Sequence, residues 1–244
     1  MFQIIVKDSY EEVSKAAFAV MEKALAKEKP VLGLATGSSP VGLYQEMIRD
    51  HQEKGTSYQD VVTFNLDEYI GLPKNHRESY YTFMHKELFD HIDIPESNVH
   101  IPVGETEDPE ASARAYEEEI KKYQVDLQVL GIGSDGHIAF NEPGCPFDSE
   151  THIMDLTEQT RQDNSRFFDG DIDQVPKKAI TQGLATIMRA KKIVLIATGK
   201  NKAAAVKGMI EGAKTTACPA SILQDHDDVV VILDREAASG LREK

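Results

Sequence analysis

The sequence has little cysteine and no long apolar segment, and each of these absences excludes a class of protein. Only two of the 244 residues are cysteines, Cys145 and Cys218, and they do not form a C-x-x-C pair. Neither a disulfide framework nor a cysteine zinc site is therefore indicated. No apolar run approaches the roughly 20 residues that a membrane-spanning helix requires. We expect two spectator thiols and no membrane partner.

Basic residues are also scarce. The formal net charge is −14, the isoelectric point is about 5.0, and no run of Lys or Arg is longer than two residues. This balance opposes binding to polyanions, so no nucleic-acid partner is predicted. A small anionic substrate stays compatible with it, provided that a few basic side chains and backbone amides form a local positive pocket.

The N-terminal stretch and the composition indicate one cytoplasmic domain. Residues 1–8 lack the basic start and the long apolar region of a secretory signal, and residues 2–6 already resemble a strand. Hydrophobic residues make up 41% of the chain and charged residues 28%, which is a globular balance. At this length an α/β chain commonly forms one domain, so residues 1–244 are predicted to be a single domain.

Strands and helices alternate along the chain. A capping box at Ser9 and Glu12 starts the first helix, and Ser39 is predicted to cap a second helix with Pro40 at its first position. Helices are also predicted at 78–89, from 109, at 176–188, after 202 and at the C-terminus. Strands are predicted at residues 2–6, 31–35, 61–65, 127–132, 193–198 and 229–233.

This order predicts an α/β, Rossmann-like fold with a mostly parallel sheet and helices on both faces. Residues 144–175 are polar and acidic with weak periodicity, and we interpret them as a helical lid, called the lid segment below. In an open parallel sheet, ligands bind outside the carboxyl ends of the strands. Residues 36–39, Asp67, 135–137 and 199–202 all follow predicted strands, so they are expected to share one rim.

The most chemically varied stretch is residues 130–143, which contain Asp135, His137 and Glu142. These residues could bind a metal, but the spacing matches no standard zinc pattern, and no metal site is predicted. They could also be structural, with a buried acid satisfying the histidine. In the third interpretation, the carboxylates orient the imidazole so that it moves a proton to or from a substrate oxygen. Glycines at 131, 133 and 136, which would let a ligand approach the backbone, favour the third interpretation.

An anion site is predicted at the turn after the second strand. Backbone amides and hydroxyls at a helix N-terminus suit a phosphate, although an ordinary strand-to-helix turn looks the same. The turn has neither the lysine of a P-loop nor a dinucleotide fingerprint, but Lys202 is expected on the same rim. Arg166 is a surface arginine by default, and from a lid it could bind a phosphate bidentately. The residues of the turn are Thr36, Gly37, Ser38 and Ser39.

Asp67 and Glu68 follow the third strand. Acids at a strand end are most often solvated. A carboxylate at the ligand edge can instead remove a proton from a carbon next to a carbonyl, if a low-dielectric environment raises its basicity. Position alone does not decide between these two roles, nor whether Glu68 tunes Asp67 or faces water.

Four segments of the chain carry the motifs of one known family. They are Leu32-Gly33-Leu34-Ala35-Thr36-Gly37, Phe64-Asn65-Leu66-Asp67-Glu68-Tyr69, Gly133-Ser134-Asp135-Gly136-His137-Ile138-Ala139-Phe140-Asn141-Glu142-Pro143 and Asn164-Ser165-Arg166-Phe167-Phe168. These segments resemble the glucosamine-6-phosphate deaminase family, and the resemblance covers nearly the whole chain in order. It implies conversion of glucosamine 6-phosphate and water to fructose 6-phosphate and ammonia, in amino-sugar catabolism, with no metal or organic cofactor.

Matched position by position, the resemblance implies a role for each candidate residue. His137 matches the base that opens the pyranose ring, supported by Asp135 and Glu142. Asp67 matches the carboxylate that takes the C2 proton and returns it to C1. The phosphate-binding positions match Thr36, Gly37, Ser38, Ser39, Arg166 and Lys202.

The chain also departs from the family pattern. Ser38 and Ser39 stand where the family often has a glycine and a threonine. Allosterically activated hexamers carry basic residues where this chain has His152, Met154 and Asp155. Without cations to bind a second phosphate, we expect no activation by N-acetylglucosamine 6-phosphate. A small assembly is favoured, a monomer first, although the sequence leaves a homo-oligomer open.

Two other functions compete with this one. A 6-phosphogluconolactonase resembles the same fold and also binds a phosphorylated sugar, but it hydrolyses an ester and needs no base at C2. A sugar-phosphate sensor of a transcription regulator shares the architecture, but such regulators carry an N-terminal helix-turn-helix, whereas this chain opens with a strand and is strongly acidic.

Overall fold

The computed structural model describes residues 2–242, in which strands and helices alternate. Strands β1 to β10 span Gln3–Lys7, Val31–Leu34, Val62–Asn65, Asp67–Tyr69, Val99–His100, Leu127–Leu130, His152–Asp155, Lys178–Thr181, Ile193–Ala197 and Val229–Asp234. Helices α1 to α8 span Tyr10–Leu25, Val41–Lys54, Tyr80–Glu87, Pro109–Ile120, Glu158–Asn164, Leu184–Met188, Ala203–Glu211 and Arg235–Ala238. Among the described helices, none is long and apolar enough to cross a bilayer.

Seven strands form one parallel sheet in the order β1-β10-β9-β6-β2-β3-β5. Strands β2, β6 and β9 are buried at every residue, as expected for a parallel sheet covered on both faces. From β2 the chain proceeds outward through β3 and β5, and from β6 it proceeds the other way through β9 and β10. The order therefore reverses between β2 and β6, which is where α/β sheets bind ligands. The predicted α/β fold is confirmed.

The residues that cap the helices agree with the cap residues that the sequence indicates, with one exception. The Ser9 side chain accepts a hydrogen bond from the Glu12 amide at 3.2 Å, and Asp108 caps α4 by the same geometry. The prediction that Ser39 caps α2 was wrong, because the helix begins at Val41 with Pro40 at the cap position and no side-chain cap. Residues 36–39 instead form an extended turn in front of the helix.

A second sheet was not predicted. Strands β4, β8 and β7 pair antiparallel in that order. The helix predicted at 176–188 was wrong in its first half, because residues 178–181 form β8 and α6 begins only at Leu184. Residues 179–181 of β8 are buried between its two neighbours, so strand pairing overrides the local helical pattern.

The lid segment joins this second sheet to the cleft. It contains strand β7 and helix α5 together with short 3-10 turns, so it is helical only in part. A small apolar cluster packs beneath it, separate from the main core of the parallel sheet. Its buried members are Tyr69, Phe140, Leu156, Phe168, Val175 and Ala179.

Candidate active site

A cleft of about 290 Å³ opens at the carboxyl ends of β2 and β6, where the strand order reverses. Most of the predicted site residues line it, although they come from five distant segments. Asp135 and Glu142 do not line the cleft but lie behind the His137 ring. The lining residues that the sequence had indicated are Thr36, Gly37, Ser38, Ser39, Asp67, His137, Arg166 and Lys202.

The turn at 36–39 is held from behind by two tyrosines. The Tyr10 hydroxyl donates to the Ser38 carbonyl at 2.7 Å, and the Tyr44 hydroxyl donates to the Ala35 carbonyl. Gly37 has a φ of 90°, a left-handed conformation that favours glycine. Within the described part of the chain, the amides of residues 37–39 donate to no acceptor. These amides are therefore free to bind an anion.

Two cations, Arg166 and Lys202, line the same cleft. Arg166 stacks its guanidinium 4.7 Å from the Phe167 ring, and neither it nor Lys202 forms an ion pair within residues 2–242. Burial lowers the pKa of Lys202, Asp163 opposes that effect, and the Arg166 charge adds to it. In a chain with a net charge of −14, two unpaired cations in the same cleft as free amides are suited to bind an anion.

Asp67 lies on β4 and lines the cleft, with only 5% of its surface exposed. Burial raises its pKa well above the usual range, and the neighbouring Glu68 charge raises it further. No side chain or amide among residues 2–242 donates a hydrogen bond to its carboxylate. Asp67 is therefore a carboxylate of raised basicity that faces the ligand space.

Glu68 points away from the cleft and does not face water. Its carboxylate accepts hydrogen bonds from the amides of Tyr69 at 2.8 Å, Tyr80 at 2.9 Å and Tyr81 at 2.9 Å. Burial raises the pKa of Glu68, and these three hydrogen bonds oppose that shift. Glu68 thus ties β4 to the N-terminus of α3, in addition to acting on Asp67 through its charge.

The His137 ring lies between the cleft and two acids. Its Nδ1 atom is 2.7 Å from Asp135 Oδ1 and 3.8 Å from Glu142 Oε2. Burial alone raises the pKa of Asp135, but contact with the His137 ring and the His137 amide outweighs it and holds that pKa at about 2. Asp135 is therefore ionised and orients the ring. Because Nδ1 is buried against the acids, Nε2 is the nitrogen left for the cleft.

Glu142 connects this ring to the lid segment. Its Oε1 atom accepts hydrogen bonds from the Thr157 amide at 3.2 Å and the Thr157 hydroxyl at 3.3 Å. Thr157 is also the N-cap of α5. The position of the lid helix and the position of the second acid behind His137 are therefore linked.

The three side chains also resemble a metal-binding group, since one ligand atom of each lies within 4.8 Å of the others. The 2.7 Å contact between His137 and Asp135 has the length of a hydrogen bond. Two ligands of a tetrahedral zinc ion with bonds near 2.0 Å would lie about 3.3 Å apart. The distances favour a proton-transfer arrangement, and the absence of a metal stays a prediction.

The glycines of this loop have a purpose beyond the one expected. A Cβ atom at Gly133 would lie 2.3 Å from Nδ1 of His137, because the loop folds back and the Gly133 amide donates to the His137 carbonyl at 2.9 Å. Gly133 therefore makes room for the imidazole, and together with Gly131 it also lines the cleft. Gly136 has a φ of 89° and a Cβ there would lie 2.7 Å from Cys218 Sγ.

Replacing Gly133 with alanine is expected to lower kcat by about 10- to 100-fold, because the added methyl displaces the His137 ring. Gly208→Ala is the matched control, since its Cβ would meet only Cys218 Sγ at 3.5 Å in helix α7. Steady-state rates and thermal melts of both variants check this. A Gly133→Ala enzyme as active as the control would contradict the crowding argument.

Several cleft residues were missed by sequence reasoning. Tyr80 donates to the Tyr69 hydroxyl at 3.3 Å, and Asn164 Nδ2 donates to it at 2.9 Å, so the three side chains form a chain of hydrogen bonds across the cleft wall. A tyrosine in an apolar pattern resembles a core residue, so no local signal marked it. Thr198 had such a signal, because Ala197-Thr198-Gly199 repeats Ala35-Thr36-Gly37, and both glycines have a φ of 90°.

Free amides, two cations and two acid–base groups in one cleft, at the reversal point of a parallel sheet, are typical of an enzyme that moves protons on a small anionic substrate. A family model described as glucosamine-6-phosphate isomerases/6-phosphogluconolactonase matches residues 6–232. The chain therefore belongs to this family, and the resemblance stated from its motifs is confirmed.

Relatives and solved structures agree with this membership. A glucosamine-6-phosphate deaminase of Thermoanaerobacter sp. (strain X514) is 52% identical over 97% of this chain and 94% of its own length. Glucosamine-6-phosphate deaminase 2 of Bacillus subtilis (strain 168) is 47% identical over 98% of both. The solved structure of a monomeric glucosamine-6-phosphate deaminase has a TM-score of 0.96 at 46% identity and covers 98% of this chain and all of its own. A 6-phosphogluconolactonase from Trypanosoma cruzi is similar at a TM-score of 0.79 and 25% identity, over 100% of this chain and 98% of its own.

Proposed function

We propose that this protein is a glucosamine-6-phosphate deaminase, which converts glucosamine 6-phosphate and water to fructose 6-phosphate and ammonia as one catalytic domain. The observation that carries the proposal is the buried Asp67 carboxylate, which has a raised pKa and faces the cleft without a hydrogen-bond donor among the described residues. Removal of a proton from carbon needs such a base, whereas lactone hydrolysis does not.

The first chemical step is opening of the pyranose ring. One proton leaves the C1 hydroxyl and one is delivered to the ring oxygen, while the bond between C1 and that oxygen breaks. Nε2 of His137 moves this proton, and Asp135 at 2.7 Å stabilises the imidazolium that forms. Glu142, whose Oε2 lies 3.8 Å from the ring, adds a second negative charge.

The second step shifts the carbonyl from C1 to C2. The Asp67 carboxylate removes the C2 proton while the C1 carbonyl oxygen takes up a proton, which gives an enolamine with a hydroxyl at C1. Asp67 then returns its proton to C1, and the nitrogen gives up one proton, so that an imine is left at C2 and the proton taken up by the C1 oxygen is balanced. Water adds to this imine and ammonia leaves, so the product is the ketose phosphate. A base with a raised pKa suits both proton transfers, because it accepts a proton from carbon and still holds it for return.

The phosphate is held by the turn at 36–39 and by the two cations. We expect Arg166→Ala or Lys202→Ala to raise KM for glucosamine 6-phosphate by about 10- to 100-fold, the effect of losing a hydrogen bond to a charged group. Lys200→Ala is the matched control, since Lys200 lies in the same turn as Lys202 but is exposed. Equal KM values for the Lys202 and Lys200 variants would contradict the assignment.

The test of the activity is to supply glucosamine 6-phosphate and measure both ammonia and fructose 6-phosphate, with 6-phosphogluconolactone as the parallel substrate. Stoichiometric formation of the two products supports the proposal. Hydrolysis of the lactone alone would favour the lactonase, and tight binding of the sugar phosphate with no turnover of either substrate would favour a sensor.

The finer properties complete the proposal. We propose that the protein is a monomer in the cytoplasm with no nucleic-acid partner. The solved structure of a monomeric relative supports the monomer. Two unpaired cysteines in the described residues support a reducing compartment such as the cytoplasm. Light scattering of the purified chain measures the assembly.

We further expect no allosteric activation by N-acetylglucosamine 6-phosphate. Met154 and Asp155 lie on β7, and neither supplies a cation to an incoming phosphate, since Met154 is uncharged and Asp155 is an exposed acid paired with Lys178 at 3.5 Å. Initial rates at several substrate concentrations, with and without the effector, check this. A sigmoidal curve that becomes hyperbolic with the effector would contradict it.

A further inference from the structure

Strand β8 contacts both the strand that carries Asp67 and the loop that carries His137. Thr181, its last residue, is fully buried and pairs directly with Asp67 in the antiparallel register. Directly opposed residues of an antiparallel pair project from the same face of the sheet. The Thr181 side chain therefore lies on the same face as the carboxylate that we assign to C2.

The same side chain holds the loop that carries His137. The Thr181 hydroxyl oxygen accepts a hydrogen bond from the Phe140 amide at 3.1 Å. Phe140 follows Ala139, whose φ of 52° is left-handed, a conformation that persists in a non-glycine residue only when surrounding contacts enforce it. The hydrogen bond to Thr181 is such a contact, applied one residue after the strained position.

The next residue repeats this link through its backbone. The Gln182 amide donates to the Leu66 carbonyl at 2.7 Å, and the Gln182 carbonyl accepts from Asn141 Nδ2 at 2.9 Å. Leu66 directly precedes Asp67, and Asn141 directly precedes Glu142. Residues 181–182 thus connect the backbone beside Asp67 to Phe140 and Asn141, which lie in the loop between His137 and Glu142.

We infer that Thr181 is a positioning residue that fixes His137 and Glu142 relative to Asp67 by holding the left-handed turn at Ala139. The inference rests on the proposed function. Thr181 is buried and lies outside the cleft, so it acts through the Phe140 amide and not on the substrate. If the turn relaxes, His137 is displaced while Asp67 stays in its strand.

The test compares Thr181→Val, which keeps the shape and removes the acceptor, with Thr181→Ser, which keeps the acceptor. Two reactions distinguish ring opening from proton transfer at carbon. The first is turnover of cyclic glucosamine 6-phosphate. The second is exchange of the C1 proton of 5-deoxyfructose 6-phosphate with deuterated solvent in the presence of ammonium. The second substrate lacks the hydroxyl that closes a furanose ring, so it needs no ring opening. Hydrogen exchange of the Phe140 amide measures the order of the loop independently of activity.

Thr181→Val is expected to lower kcat on glucosamine 6-phosphate about tenfold or more, the effect of leaving a buried amide unpaired. C1 exchange and KM should change less than about threefold, the Phe140 amide should exchange faster, and Thr181→Ser should restore most of the rate. Equal losses in both reactions, or a serine variant as poor as the valine variant, would overturn the inference. Exchange of the Phe140 amide at the wild-type rate in Thr181→Val would also overturn the inference. This measurement does not depend on activity, so it decides the inference even if wild type releases no ammonia and the proposed function fails.

Discussion

Asp67→Asn is expected to lower kcat on glucosamine 6-phosphate by about 10²- to 10⁴-fold, the range for loss of a general base. The amide has the shape of the carboxylate but takes no proton from carbon. Binding should change little, because the phosphate ligands that we propose are residues 36–39, Arg166 and Lys202 and not Asp67. The measurement is exchange of the C2 proton with deuterated solvent, together with substrate affinity by calorimetry. Exchange at the wild-type rate would remove Asp67 from this role.

The pH dependence provides a second readout for the same residue. Asp67 accepts a proton only when ionised, and burial followed by the Glu68 charge raises its pKa well above the usual range. The pH profile of kcat/KM reports groups of the free enzyme. The pH at which kcat/KM falls on the acidic side should therefore be higher than it would be for an ordinary aspartate. A fall near the ordinary value of about 3.9 would contradict the raised basicity.

The substitution should also stabilise the protein, which distinguishes lost chemistry from lost folding. The folded pKa of Asp67 is above its unfolded pKa, so the folded state loses stability as pH rises from the unfolded value through the folded value. Asp67→Asn removes that loss. Its melting temperature should exceed that of wild type at neutral pH, and the gain should shrink as pH falls toward about 3.9, the unfolded pKa.

His137→Gln is expected to impair cyclic substrate far more than open-chain substrate. A glutamine fills much of the space beside Gly133 but does not titrate, so the loss on glucosamine 6-phosphate should be about 10²-fold or more. With 5-deoxyfructose 6-phosphate and ammonium, C1 exchange should fall less than about tenfold because no ring is opened.

The Asp67 and His137 variants check each other. Asp67→Asn should lose both reactions, whereas His137→Gln should lose mainly the one that includes ring opening. Equal losses in His137→Gln would show that the imidazole acts in enolisation as well. Thermal melts of both variants control for folding, and a melting temperature of His137→Gln far below wild type would indicate a structural role for the ring against Asp135.

Much of the cleft was predictable because its parts follow buried strands. Apolar runs such as residues 193–197 indicate strands of a parallel sheet, and all the carboxyl ends of such a sheet meet at one edge. That rule alone brought the turn at 36–39 and the His137 loop together. The helix boundaries were accurate where a cap residue such as Asp108 marks them, and inaccurate at Ser39, where Pro40 takes the cap position.

The antiparallel sheet was not predictable in the same way. Strand β4 has three residues and β8 has four, too few for a periodic signal, and these two paired strands lie more than 100 positions apart in the chain. Glu68 likewise carries no local mark of its task, since the amides that it binds belong to Tyr80 and Tyr81 of a separate helix.

The sequence by itself determined the fold class, the family and the residue types at the edge of the parallel sheet, because strand periodicity and short motifs are local properties of the chain. Only the tertiary structure decided that Glu68 is buried as a helix cap, that Gly133 makes room for an imidazole, and that Thr181 lies between Asp67 and the His137 loop. Each of these depends on which distant segments pack together, and packing depends on the summed burial and hydrogen bonding of the whole chain.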